Sequence, residues 1–134
     1  MNRDNAHKKF IFNDQFDSEF LFGLYEHDYA YILEVFQNTL EYLESDGEQV
    51  KTAYQKGDIE LFQKAVHKIK PVFGFTGLIN MQQTIATIEK TIHASKDDKA
   101  LEAAYHSVIS VINQARQAIE IENKRLLEYI GLPG

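Results

Sequence analysis

His67 stands in the stretch AVHKIKPVFGFTGL, with Lys64 one turn before it, Lys68 beside it and Lys70 one turn after it. Between Leu61 and Leu78 there is no carboxylate, although the whole chain carries a formal net charge of −6. A basic patch inside an acidic chain suits an anionic group or an acidic partner surface. An imidazole in its neutral form is a competent nucleophile toward phosphorus. Lys70, three residues on, can reach over the same helical face and hold a phosphoryl oxygen as a point charge. These residue types at this spacing point to phosphoryl acceptance.

The element that must position them is a helix over 59 to about 75. Phe62, Ala65, Val66, Ile69 and Phe73 share one face of it and form its core stripe. At about 100° per residue, His67 lies roughly 150° from the centre of that stripe, on the solvent side. Gln63 and Lys64 lie one turn before it. Pro71 and Gly74, at i+4 and i+7, leave the surface beyond the ring bare. Pro71 has no N–H for the His67 carbonyl and should bend the helix. Gly74 costs about 1 kcal/mol of helix stability relative to alanine. Local rules broken beside a reactive side chain mark places where function overrides propensity. The competing reading ends the helix near Pro71 and makes VFGFTGL a capped exit, which leaves the exposed histidine and its lysines without a role.

The rest of the chain supplies the other helices. Asp17 caps a short one with Phe20, Leu21 and Leu24 on one face. Asp28 caps the next, whose apolar positions Ile32, Val35, Phe36, Thr39, Leu40 and Leu43 keep helical spacing. ESDGEQ interrupts it at Gly47, so the expectation is one long helix that bends or briefly breaks there. Gly57 and Asp58 stop it and start the helix of His67. A further helix runs from about Met81 to Ala94 on Ile85, Ile88 and Ile92. After a turn at SKDD, the last spans about 98–129 on a stripe from Leu101 to Leu127 and ends at GLPG. Long amphipathic helices joined by short turns predict an all-α fold, an antiparallel four-helix bundle with a short extra N-terminal helix. One domain covers 1–134, with 1–9 disordered.

Composition agrees and narrows the function classes. Apolar residues are 44% and charged residues 25%, an ordinary globular balance with enough chain for one modest core. An acidic chain with pI about 5.3 is a poor nucleic-acid binder. There is no cysteine, which removes disulfides and thiolate chemistry. The N-terminus lacks the apolar run of a signal peptide, and FLFGLY is too short to span a membrane. A cytoplasmic monomer is expected.

His67-Lys68-Ile69-Lys70, with Gly77 ten residues after the histidine and Leu78 beyond it, resembles the signature of the histidine phosphotransfer (HPt) domain, H-x-L-K-G with a glycine at +10. The resemblance covers nearly the whole chain, including YEHDYAYILEVFQNTLEYL, the KGDIE turn before the histidine and Glu89 at +22. It implies that His67 is phosphorylated, that Lys70 stands on the phosphate side and that Glu89 partners the imidazole. Gln63, Lys64, Lys68, Pro71, Gly74 and Gly77 become a docking surface; Phe36 and Leu40 are candidates for an apolar rim, with core packing the favoured reading for each. The implied partners are response-regulator receiver domains and a hybrid histidine kinase. The implied function is an intermediate of a multistep phosphorelay that takes a phosphoryl group from a receiver aspartate and passes it to another. No cofactor is implied, because Mg²⁺ belongs to the receiver. Pro71 departs from the family pattern, which has glycine at that position.

Three other readings compete. Glu89/His93 and Glu102/His106 are i,i+4 pairs rather than the Glu-x-x-His pairs of a di-iron bundle, and they read as surface pairs with no metal. No Gly-rich phosphate loop is present, so the chain is not itself a kinase and, if a phosphocarrier, has no autokinase activity. The alternative is a non-catalytic helical module that binds an acidic partner through Lys64, Lys68 and Lys70.

Overall fold

The computed structural model describes residues 10–94 and 97–131. Five helices follow in order: α1 Ser18–Tyr25, α2 Tyr29–Gln55, α3 Ile59–Phe75, α4 Ile79–Ala94 and α5 Asp98–Gly131. Helix α2 packs on α3 and α5, α3 on α4, and α4 on α5, while α1 lies against α2. The fold is an all-α antiparallel bundle of four helices with one short helix added at the N-terminal side. Residues 1–9, Ser95 and Lys96 of the SKDD turn, and the end of GLPG, where three of the sequence expectations fall, lie outside the described residues.

The expected caps form. Asp17, Asp28 and Asp58 each accept a hydrogen bond from the backbone N–H three residues on, at 2.9, 3.0 and 3.0 Å. Each thereby satisfies one of the orphan donors of a helix start, worth about 1 kcal/mol. Helix α2 closes at Gly57 and α3 at Gly77, both with positive φ, at 71° and 77°. At each, the residue after the glycine bonds back five positions and the glycine itself three, the paired bonds of a Schellman motif. Leu78, next after Gly77, is fully buried and anchors that exit.

One open expectation is decided, one is met and one is corrected. Helix α2 passes through Gly47 without a break. Gly47 is buried there, and a Cβ on it would sit 3.8 Å from the Ile112 side chain, so it marks close packing of α2 on α5. Helix α3 runs from Ile59 to Phe75 as expected, with Pro71 inside it, and the competing reading that ends the helix at the proline falls. On α1 only Leu21 is buried, while Phe20 and Leu24 face solvent; at the far end of α5 Leu127 is exposed too.

The segment before α1, to which the sequence reading gave no role, is part of the core. Phe10, Phe12 and Phe16 are buried against Phe36, Tyr29 and Tyr129. Buried Glu122 of α5 accepts from the Asn13 N–H at 2.7 Å and from Arg125 at 2.5 Å. Arg125 also donates to the Ile11 carbonyl at 3.3 Å and stacks over Phe10.

Candidate functional site

Helix α3 places its apolar stripe as the spacing requires. Phe62, Ala65, Val66, Ile69 and Phe73 are all buried. The same 3.6-residue turn leaves His67 exposed, with 67% of its side chain open to solvent. The imidazole is nevertheless fixed. Its Nδ1 donates to Oε2 of Glu89 on α4, and Lys70 donates to Oε1 of the same carboxylate at 2.9 Å. Glu89 and Lys70 are more covered, at 24% and 29% exposure, so the partners sit below the ring and the ring stands above them.

Burial disfavours the charge on Glu89. The hydrogen bonds and charges of Lys70 and His67 outweigh it and hold the carboxyl below the usual carboxylate range. An ionised carboxylate accepting from Nδ1 selects the tautomer with the proton on Nδ1, which leaves the Nε2 lone pair unengaged.

The lysines of the basic patch are each committed. Lys64 pairs with Glu60 at 3.4 Å across one turn of α3. Lys68 reaches the buried Asp46 of α2 at 3.5 Å and Gln49 at 3.4 Å. Lys70 is held by Glu89. Sequence periodicity could not reveal Asp46 as a partner, because it falls on the apolar face of α2.

One groove is lined by His67 and a second by its neighbours Lys68 and Pro71. One, about 810 Å³, runs between α3 and α4; Gln63, Lys64, His67 and Lys70 line one wall, and Glu89, Lys90 and His93 the other. The Nε2 of Gln63 is buried and meets no acceptor among the described residues. An unmet buried donor costs about 1–3 kcal/mol. The other groove, about 790 Å³, opens on the side of Lys68 and Pro71 and is walled by Tyr31, Val35, Tyr42 and Phe75. Tyr31, Tyr42 and Phe75 are large, apolar and exposed, and on α3 the off-phase position of Phe75 is the signal that could have identified it.

Several expected docking residues move. Gly77 is buried; a Cβ there would stand 2.8 Å from Leu21, and its carbonyl accepts the Asp17 N–H at 2.8 Å. It therefore closes α3 and seats α1, and it offers no surface. Gly74 is half-buried, with the Gln82 amide 2.7 Å from where its Cβ would be, so α4 covers what was expected to be a bare platform. Pro71 is exposed and does line the apolar groove. Phe36 is fully buried and Leu40 packs against the core, the reading favoured for both, so neither forms a rim. Glu89 turns both oxygens to α3 rather than forming a surface pair with His93, and no ion pair joins Glu102 and His106 among the described residues. No group of three or more His, Asp and Glu side chains is placed to hold a metal ion among those residues. No described helix is long and apolar enough to cross a membrane.

No family model, curated protein or solved structure matches the chain.

Proposed function

We propose that this chain is a histidine phosphotransfer protein that carries a phosphoryl group on His67 between receiver domains of a multistep relay. One observation carries the reading: an exposed imidazole whose Nδ1 is tied to a carboxylate that Lys70 also holds. In the reaction, the His67 Nε2 lone pair attacks the phosphorus of an aspartyl phosphate on the receiver. The N–P bond forms as the P–O bond to the aspartyl carboxylate breaks, and that carboxylate leaves with the electron pair. The ring keeps its Nδ1 proton, and the positive charge it gains faces Glu89. Transfer to a second receiver is the same exchange in reverse.

The protein's part is positioning and charge, as phosphoryl transfer requires. Glu89 holds ring orientation and tautomer. The groove walled by Tyr31, Tyr42 and Phe75, which reaches α3 at Lys68 and Pro71, provides apolar docking surface. The alternative, a module binding acidic partners through Lys64, Lys68 and Lys70, is weakened by the carboxylate that each lysine already pairs with. It also gives no role to the orientation of His67.

The deciding experiment incubates the chain with a phosphorylated receiver domain and tests for an acid-labile, base-stable phosphate. Label on the wild type and none on His67→Gln supports the reading. Label on neither, with receivers that discharge to other acceptors, removes it.

A further inference from the structure

The charges around His67 leave a phosphoryl group under-neutralised. A phosphorylated imidazole brings up to two negative charges to the site. Lys70 is the nearest expected counter-charge, yet it already balances the Glu89 carboxylate at 2.9 Å. Lys64 and Lys68 lean on Glu60 and Asp46. Lys90 differs: it lines the α3/α4 groove beside His67, is exposed, and pairs with no carboxylate among the described residues.

The opposite wall carries a second unmatched group. Gln63, one turn before His67, buries its amide nitrogen with no acceptor among the described residues. An orphaned donor and an uncommitted cation on two walls of one groove call for the same ligand, an oxyanion with several acceptor oxygens.

We propose that the α3/α4 groove is a phosphate-class oxyanion subsite in which Lys90 and the Gln63 amide take phosphoryl oxygens, with Lys70 shared between the ligand and Glu89. Resting on the phosphotransfer reading, it makes Lys90 and Gln63 binding residues for the phosphoryl group carried on His67. Neither contributes to the bond exchange itself. Their effect is on how strongly the phosphoryl group stays with this chain when it equilibrates with a receiver.

Two measurements test it. In the first, inorganic phosphate is titrated into the unphosphorylated full chain at constant ionic strength and pH, with chloride as the control, and NMR shifts are followed. Saturable shifts at the Gln63 side-chain amide and at Lys90, at least fivefold weaker in Lys90→Ala and retained in Lys90→Arg, support the subsite. Shifts that chloride reproduces, or that Lys90→Ala leaves unchanged, overturn it. In the second, the phosphoryl group is equilibrated between receiver and chain; Lys90→Ala and Gln63→Leu should each lower the fraction on His67 at least threefold. Wild-type partition in both variants overturns the proposal. Phosphate binding without any acceptance by His67 removes the phosphotransfer reading and leaves the subsite standing. Acceptance by His67 with neither phosphate binding nor altered partition does the opposite.

Discussion

His67 donates its Nδ1 proton to Glu89, twenty-two residues further on and on a different helix. That contact fixes the ring without covering it, and most of what can be measured follows from it.

His67→Gln should abolish phosphoryl acceptance and leave the fold intact. The ring is mostly exposed, so stability should change by no more than about 0.5 kcal/mol. Thermal unfolding followed by circular dichroism checks the second half. A fall of many degrees in Tm would mean that the imidazole supports the fold rather than the chemistry.

Lys70→Ala should slow transfer about tenfold or more without stopping it. A charge-assisted hydrogen bond is worth about 1.5–3 kcal/mol, and Lys70 supplies charge but no bonding electrons. Rapid-quench kinetics with a labelled receiver reads this directly; an unchanged rate would assign the phosphoryl charge to other groups.

The Glu89 carboxyl is held below its ordinary value of 4.5 in the folded chain. A carboxyl with a lowered folded pKa contributes stability that is present above its unfolded pKa and is lost as pH falls through the folded value. Glu89→Gln keeps an oxygen for the His67 Nδ1–H but removes the ionisation. The variant should therefore show a flatter loss of stability on the acid side. Denaturant unfolding of both proteins above and below that pH measures it, and parallel acid limbs would refute the assignment.

Gly77→Ala should destabilise the fold by about 1–3 kcal/mol, because φ is positive and the new Cβ meets Leu21. Among molecules that remain folded, transfer from the receiver should be unaffected. Slower transfer at wild-type stability would restore Gly77 to the docking surface.

Phe75→Glu should weaken association with the receiver about tenfold, in the range of an interface anchor, while the domain stays folded. Phe75 is 56% exposed, so the core does not depend on it. Titration calorimetry with the receiver, beside a melting curve, separates the two; unchanged affinity would move the docking face away from the Tyr31, Tyr42 and Phe75 groove.

Helix faces were legible in the sequence because they depend on local geometry. At about 100° per residue, the order of apolar positions along α3 already sets which side Phe62, Val66 and Ile69 bury and which side His67 exposes. The caps at Asp17, Asp28 and Asp58 and the stop at Gly57 are local too, settled by hydrogen bonds within a few residues. Glu89 entered the sequence reading through a resemblance alone, since its pairing with His67 depends on how α3 and α4 slide past one another. The same holds for Asp46 beneath Lys68 and for the uncommitted Lys90. Gly47 looked like a bend or a brief break from propensity alone, but the helix runs through it where it packs against Ile112. Gly74 looked bare, and Gly77 stood in the expected docking surface, because one stretch of sequence does not show what comes to lie on it. Gln82 of α4 covers the first, and Leu21 of α1 the second. Spacing along one helix is set by backbone hydrogen bonds, whereas register between helices is set by the packing of all their side chains at once; the site uses both, and only the first can be read from the chain.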